Sequence, residues 1–146
     1  MAEKTPQTFE NHARILPAFH YIAFPLFVIN FFLALYQTFT SFSWPALIGF
    51  GTSLALLLLF FLSRVMALTV QDRVIRLEER MRMRELLPAD LRPRINDFTV
   101  KQLVALRFAS DAELPALARK VLDEKLTDQK AIKKLVTHWR ADYQRA

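Results

Sequence analysis

The chain has 146 residues, enough for one modest domain with anchoring segments, and its net charge of +6 is unevenly distributed. Residues 1–63 contain two basic and two acidic residues, whereas residues 64–146 carry 18 of the 20 Lys and Arg and 12 of the 14 Asp and Glu. The absence of Cys excludes disulfides, thiol catalysis and Cys-ligated metal sites. The composition therefore predicts an apolar front and a charged back that face different solvents.

Two apolar runs predict transmembrane helices at residues 16–36 and 46–64, separated by an uncharged outer loop at residues 37–45. Each run is close to the ~20 residues that cross ~30 Å of hydrocarbon at 1.5 Å per residue. A cleaved signal peptide is the alternative for the first run, but residues 1–15 lack net positive charge and the run is long for a signal peptide. We therefore predict a retained two-helix hairpin.

The charge asymmetry predicts the orientation of this hairpin. Six arginines follow the C-terminal end of the second apolar run, from Arg64 to Arg84, whereas the loop has no charge. Because cytoplasmic flanks carry the excess of Lys and Arg, both termini are expected in the cytoplasm. The residues expected to anchor the spans at the membrane interfaces are Arg14, Tyr21, Tyr36, Trp44 and Arg64.

Polar and small residues in the two spans predict how they pack. Folding the chain about residues 40 and 41 places Asn30 level with the second span, and an amide in hydrocarbon is costly without a partner, so Asn30 is expected to bond Thr52 or Ser53. The small residues that would let another helix approach closely are Gly49, Gly51 and Ala55. Fastening of the hairpin is the favoured interpretation, and a polar gate is the alternative.

The second span is predicted to continue in water as a helical stalk, residues 65–87, which ends before Pro88. Val70, Val74, Leu77 and Met81 follow a 4-3-4 spacing along it. This stripe could form a short coiled coil or dock on the domain that follows, and docking is the favoured interpretation.

Residues 88–146 are expected to form a small, basic three-helix domain that opens with a linker, residues 88–97. The helix starts are marked by capping boxes at Thr99–Gln102 and Ser110–Glu113 and by Thr127-Asp128. The predicted helices are residues 100–109, 111–125 and 128–143. Their apolar faces predict a core of Phe98, Leu103, Leu106, Phe108, Leu114, Leu117, Val121, Leu122, Ile132, Leu135, Val136 and Trp139.

No catalytic motif is found, so neither an enzyme nor a cofactor is expected. The carboxylate pair Glu78-Glu79 is interpreted as a solvated ion-pair surface. His12 and His20 are candidates for a metal or pigment ligand, but an interfacial anchor is the favoured role for His20, and a surface role is favoured for His138.

A set of basic residues is predicted to meet anionic lipid, an acidic protein surface or nucleic acid. A solvated face is favoured over DNA binding, because the helical turn lacks a specific signature. The set comprises Arg73, Arg76, Arg80, Arg82, Arg84, Lys130, Lys133, Lys134 and Arg140.

The chain resembles an uncharacterised family of small bacterial two-span membrane proteins, catalogued as a domain of unknown function. The resemblance rests on residues 11–14 (NHAR), 70–80 (VQDRVIRLEER), 86–92 (LLPADLR), 106–114 (LRFASDAEL), 131–134 (AIKK) and 139–142 (WRAD). It covers essentially the whole chain and implies a location in the bacterial inner membrane. It implies no reaction and no site.

The expected fold is therefore an all-α membrane protein, with a transmembrane hairpin, a stalk and a three-helix cytoplasmic domain. The expected function is that of a membrane-anchored interaction or accessory protein, in contact with membrane lipid and with a protein partner or further copies of itself. A subunit of a transporter or channel is one alternative, and a membrane-tethered nucleic-acid-binding module is the other.

Overall fold

A computed structural model of the chain describes residues 6–11 and 15–142. The regular elements among these residues are all helices, with no strand, in agreement with the expected all-α fold. The chain divides into two compact units. Arg14–Leu68 is called the hairpin unit here, and Met1–Ala13 together with Thr69–Ala146 is called the helical unit.

Two long helices carry the apolar runs, and both are long and apolar enough to cross a membrane. The first consists of a π-helical stretch, Ala18–Ala23, that leads into α1, Phe24–Thr40. The second is α2, Trp44–Leu86, which has Pro45 in its first turn, where no hydrogen bond is lost. Only residues 41–43 connect α1 and α2, so the connection is shorter than the predicted outer loop.

The hydroxyls of Thr38 and Thr40 explain why α1 is longer than the predicted span. They donate to the carbonyls of Ala34 and Tyr36, at 2.8 Å and 3.0 Å, and are therefore satisfied within the helix. The π-helical stretch before α1 accommodates Pro25, which has no N–H and whose ring would clash with the carbonyl one turn earlier in a regular helix.

Phenylalanine side chains hold the hairpin unit together. Phe60 is 9% exposed, and its ring stacks on Phe19 with 4.0 Å between centroids, while Phe27 lies 5.5 Å away. Nearer the loop, Phe31 of α1 lies 5.5 Å from Phe50 of α2. The two helices are therefore fastened by interlocking aromatic rings.

The helical unit contains the C-terminal part of α2 and four shorter elements. These are a 3-10 helix, Arg92–Asp97, and the helices α3, Val100–Leu106, α4, Leu114–Asp123, and α5, Gln129–Lys134. The predicted core is confirmed, with Leu135 and Trp139 at its partly buried margin. Met83 and Leu87 of α2 complete it, so the stalk helps to close a core that three short helices could not close alone.

The prediction of a linker at residues 88–97 is wrong. Leu91 and Ile95 of this segment are buried in the core, at 1% and 5% exposure. Its surface is held to α4 by ion pairs from Arg119 to Asp90 at 2.7 Å and from Arg94 to Asp123 at 3.2 Å. The hydrogen bond from Arg119 lowers the pKa of the Asp90 carboxyl.

The stalk does not dock through its predicted stripe. Val70, Val74, Leu77 and Met81 are all exposed, whereas Ile75 is buried on another face of α2. The face of α2 that packs on the helical unit contains a charged residue, Glu79. A prediction based only on the spacing of apolar residues therefore chose the exposed face instead.

The capping boxes have different outcomes. At Thr99 the box is complete, because its hydroxyl accepts from the Gln102 N–H and the Gln102 side chain accepts from the Thr99 N–H. At Ser110 it is half formed, because the hydroxyl accepts from the Glu113 N–H at 3.3 Å while the Glu113 carboxylate faces elsewhere. Asp128 caps α5 by accepting from the backbone N–H of Lys130 and Ala131.

The last predicted helix, residues 128–143, is wrong beyond Lys134. After α5 the chain turns back through residues 135–142, which are called the C-terminal return here. In this segment Trp139 forms an antiparallel bridge with Ala109. Glu113 fixes this return by accepting from the Thr137 N–H and hydroxyl and from the His138 N–H, at 2.8–3.1 Å. Burial alone would raise the pKa of the Glu113 carboxyl, but these hydrogen bonds lower it overall.

The N-terminal segment packs on the end of the described chain, inside the helical unit. The Gln7 amide donates to the Asp142 carbonyl at 3.0 Å and accepts from the Asp142 N–H at 2.8 Å. The Lys134 ammonium lies 5.6 Å from the centre of the Phe9 ring. Residues before the hairpin and residues after it thus belong to one folded body.

Truncation of the central aromatic ring should loosen the hairpin. We expect Phe60→Ala to destabilise the association of the two helices by about 3 kcal/mol, because stacking and dispersion contacts with three rings of the first helix, Phe19, Phe24 and Phe27, are lost. SDS titration of the protein in bicelles measures this change. Leu59→Ala, at an exposed neighbouring position, is the control and should have little effect. Equal effects of the two substitutions would contradict aromatic fastening.

Candidate functional site

An open cleft of about 800 Å³ lies in the helical unit between α2 and the two segments joined by the Ala109–Trp139 bridge. Its lining is charged, with three arginines among five carboxylates. These residues are Arg82, Arg107, Arg140, Glu78, Glu79, Glu85, Asp111 and Asp142. The cleft is the strongest concentration of buried charge among the described residues and is therefore the candidate site.

Glu79 is the buried carboxylate of this cleft, with 4% of its surface exposed. One carboxylate oxygen accepts from Arg82 at 3.1 Å, and the other lies 3.8 Å from Arg140. Burial raises the pKa of the Glu79 carboxyl, and the nearby charges of Arg82, Arg140 and Arg107 offset only part of that rise. The interpretation of Glu79 as a solvated surface residue is therefore wrong.

Arg82 is shared by three acceptors from two parts of the chain. Besides Glu79, its guanidinium bonds the carboxylate of Asp111 at 2.7–2.8 Å and the carbonyl of Ala109 at 2.6 Å. The side chain is only 11% exposed. The planar guanidinium supplies donors in a fixed fork, so this geometry aligns α2 with the chain that follows α3.

Arg107 extends the charged network toward the end of the described chain. Its Nε lies 3.3 Å from the Asp142 carboxylate, and its guanidinium lies 4.6 Å from the centre of the Phe108 ring. Phe108 also contacts Trp139, at 4.8 Å between ring centroids, and the Lys133 ammonium, at 5.3 Å. The charges and rings together attach the C-terminal return to the core.

The chemistry of the cleft is that of a structural ion-pair network. Glu79, Asp111 and Asp142 each face an arginine, so no carboxylate among these three is poised to transfer a proton without breaking an ion pair. The described residues contain no group of three His, Asp or Glu side chains that could hold a metal ion. These ion pairs and hydrogen bonds hold α2 against the chain that follows α3, and they hold Arg107 against Asp142.

The predicted polar contact between the two spans is not formed. The Thr52 hydroxyl donates to the Ile48 carbonyl at 2.9 Å, and the Ser53 hydroxyl donates to the Phe50 carbonyl at 2.7 Å. Each hydroxyl is thus satisfied by its own helix. Asn30 is exposed on the hairpin unit, so the prediction that it bonds Thr52 or Ser53 is wrong.

The small residues do not fasten the hairpin unit either. A methyl group built on Gly49 or Gly51 would have open space around it, and Ala55 is exposed. Close helix approach at these positions therefore does not occur within the chain. The aromatic contacts of Phe60 take that role.

The predicted interface anchors lie on the outside of the hairpin unit. Tyr21, Tyr36 and Trp44 are exposed, and the Arg64 guanidinium lies 5.9 Å from the centre of the Phe19 ring. Arg14 lies outside the described residues. The anchoring role of all five stays a prediction.

The histidines occupy separate places. His20 Nδ1 lies 3.0 Å from the Leu16 carbonyl oxygen, and its ring packs edge-on against Phe19. His138 Nδ1 lies 3.0 Å from the Thr137 hydroxyl. His12 lies outside the described residues, so its pairing with His20 stays untested.

The predicted basic surface is divided rather than continuous. Arg82 is the buried hub of the ion-pair network, so its assignment to a solvated face is wrong. Lys133 and Lys134 lie over aromatic rings, and Arg140 reaches Glu79. The exposed members of the set are Arg73, Arg76, Arg84, Lys130, Lys134 and Arg140, whereas Arg80 and Lys133 are half-buried.

Sequence reasoning missed Glu79 and Arg82 as a pair. One signal was present, since Ile75, Glu79, Met83 and Leu87 are spaced four residues apart and therefore share one face of α2. A carboxylate at that spacing among apolar residues predicts a buried charge that requires a cation. The partners Asp111 and Ala109 are distant in sequence and gave no such signal.

The chain belongs to DUF6526, a family of unknown function, whose model matches residues 1–146. Neither the curated proteins nor the solved structures provide a match.

Loss of the central arginine should weaken the helical unit. We expect Arg82→Ala to lower its free energy of unfolding by about 3 kcal/mol, because Glu79 and the Ala109 carbonyl lose their shared donor. Urea titration in neutral detergent, followed by Trp139 fluorescence in a Trp44→Phe background, measures the change. Arg84→Ala, at an exposed position two residues away, is the control and should change it by no more than about 0.5 kcal/mol. Similar losses would contradict the role of Arg82 as hub.

The buried carboxyl should give the helical unit a characteristic pH dependence. Since the pKa of Glu79 is raised from 4.5, the folded state holds this proton to higher pH than the unfolded state does. Below pH 4.5, Glu79 should therefore contribute fully to the free energy of unfolding. This contribution should decline as the pH rises from 4.5 to the higher pKa of the folded state. Asp90 and Glu113 have lowered pKa values, so their contributions are lost at lower pH and do not overlap this window.

The same urea titration at a series of pH values tests this contribution. Glu79→Gln carries no titrating group and should lack the decline, whereas Glu78→Gln, the exposed neighbour, should retain it. A decline of unchanged slope in Glu79→Gln would show that another group causes it.

Proposed function

We propose that this member of DUF6526 is an accessory protein of the bacterial inner membrane that presents a folded helical unit to partner proteins at the cytoplasmic face. Its two apolar helices anchor it as a hairpin. The helical unit acts by contact, and its charged cleft maintains the fold that makes the contact.

The observation that carries this proposal is the uncovered apolar surface of the hairpin unit. The most apolar stretch of the first helix has no buried residue, and that of the second is only 11% buried. Leu26, Ile29 and Phe32 of α1 are about 60% exposed. A soluble protein would not leave such a continuous apolar surface in water, whereas lipid tails would cover it.

The packing of the N-terminal segment supports a hairpin rather than a single crossing. Gln7 and Asp142 pair through two hydrogen bonds, which supports a location of the segments before and after the apolar helices on the same side of the membrane. An even number of crossings satisfies this condition. The excess of Lys and Arg in the helical unit favours the cytoplasm for that side.

An interaction role is favoured over catalysis because the buried carboxylates and arginines of the cleft are paired with one another. Arg82, Glu79 and Asp111 hold one another, and Arg107 faces Asp142. Such a network fixes the outer surfaces of α2 and the C-terminal return in defined positions. A defined surface is what an accessory protein offers to a partner.

Membrane extraction and labelling test the anchor and its orientation together. The protein should sediment with membranes, resist alkaline carbonate and be released by detergent. Because the chain has no Cys, single-Cys variants report each side of the membrane without background. Ser41→Cys, in the loop, should react with an impermeant maleimide in intact spheroplasts, whereas Thr127→Cys should react only after lysis.

Two results would contradict the proposal. Protein that stays in the supernatant without detergent would remove the anchor. Labelling of Thr127→Cys in intact spheroplasts, with Ser41→Cys protected, would reverse the orientation.

A further inference from the structure

The stripe of Val70, Val74, Leu77 and Met81 on α2 is an apolar surface that residues 6–11 and 15–142 leave uncovered. The four side chains are 60%, 49%, 62% and 56% exposed. At 100° per residue, buried Glu79 lies roughly 180° around the helix from Val70. The rest of the helical unit therefore packs against the opposite side of α2, and the stripe is accessible to another molecule.

The spacing of the stripe is that of a coiled-coil seam. In heptad terms Val70 and Leu77 occupy d positions, and Val74 and Met81 occupy a positions. A β-branched residue at a with Leu at d favours two parallel strands. Val74 and Leu77 follow this rule, whereas Met81 at a and Val70 at d do not, so the stripe is compatible with one partner helix.

The charges beside the stripe favour a second copy of this chain. Arg73 and Arg80 occupy g positions, and Glu78 and Glu85 occupy e positions. In a parallel pair each g residue meets the e residue five positions later in the other helix, so Arg73 faces Glu78 and Arg80 faces Glu85 of the second copy. An antiparallel pair would instead set g against g and e against e, which opposes like charges.

These charged residues are available for such pairing. Within the described part of the chain, none of the four forms an ion pair. Arg80 is half-buried, and its guanidinium forms no hydrogen bond or ion pair within the described residues.

We propose that two copies of the protein pair in parallel through the Val70–Met81 stripe, with ion pairs between Arg73 and Glu78 and between Arg80 and Glu85 across the seam. The second copy is a partner for the accessory protein proposed above, and the pairing rests on that proposal because both copies are anchored in one membrane. Copies anchored in one membrane share an orientation and a high local concentration, so a seam shorter than two heptads suffices for pairing.

Disulfide crosslinking of full-length protein in membranes tests the pairing. A disulfide needs Cα atoms within ~7 Å, and a parallel pair in register meets this limit at every a and d position. Val70→Cys and Met81→Cys lie at opposite ends of the stripe, ~16 Å apart along α2. Under mild oxidation, both single-Cys variants should give a band at twice the 17.0 kDa mass of the chain.

Arg76→Cys is the matched control, because it is exposed on α2 but lies off the stripe, and it should remain monomeric. A stripe without function would give no dimer at either end or as much dimer at Arg76. A different protein partner would give adducts of another mass. Any of these outcomes overturns the inference, even where the protein sediments with membranes and the anchor stands.

Charge reversal tests the register. Arg73→Glu and Glu78→Arg should each reduce the crosslinked fraction of Met81→Cys several-fold, because each places like charges across the seam on both sides of the symmetric pair. The double reversal should restore it. Failure of the double reversal to restore crosslinking would overturn the parallel register, since a purely local structural effect of either change would not be rescued.

Discussion

The guanidinium of Arg82 donates hydrogen bonds to two carboxylates and a backbone carbonyl from two parts of the chain. Glu79 lies one turn earlier on α2, whereas Asp111 and Ala109 follow α3. Because Ala109 also bridges Trp139, the position of the C-terminal return depends on the same contact. A buried charge network of this kind contributes little to stability compared with an apolar core, but it rejects other arrangements, since any shift leaves a charge without its partner.

The ion-pair network around Arg82 gives α2 a buried side and an exposed side. One side carries Ile75, Glu79 and Met83 into the helical unit, and the other presents Val70, Val74, Leu77 and Met81 outward. A helix buried on one side by an ion-pair network cannot rotate to hide its other side without breaking that network. The exposed stripe is therefore a fixed property of the folded unit rather than an alternative packing of the same residues.

The parts of the structure that sequence predicts well are those determined locally. The Thr99 and Asp128 caps follow from a side chain and an N–H two or three residues apart, and the core positions follow from helical periodicity. The Glu113 carboxylate shows where this fails, because local reasoning assigned it to Ser110, whereas Thr137 and His138 supply its donors. The choice between a near and a distant partner depends on tertiary structure.

The candidate site was less predictable for the same reason. Glu79 and Arg82 were recognisable as charged positions on a helix, but their burial depends on residues 107–111 and 139–142, which meet α2 only in the folded unit. Asn30 failed as a predicted contact because Thr52 and Ser53 had acceptors within their own helix. Serine and threonine in apolar helices often have this local option, and a polar partner should not be inferred from them alone.

The pairing of Gln7 with Asp142 joins residues separated by 135 positions. During synthesis, Gln7 leaves the ribosome long before Asp142 exists, and both apolar helices emerge in the interval. The N-terminal segment therefore remains without this partner until Asp142 has been synthesised. The helical unit can therefore close around this contact only after both apolar helices have been synthesised.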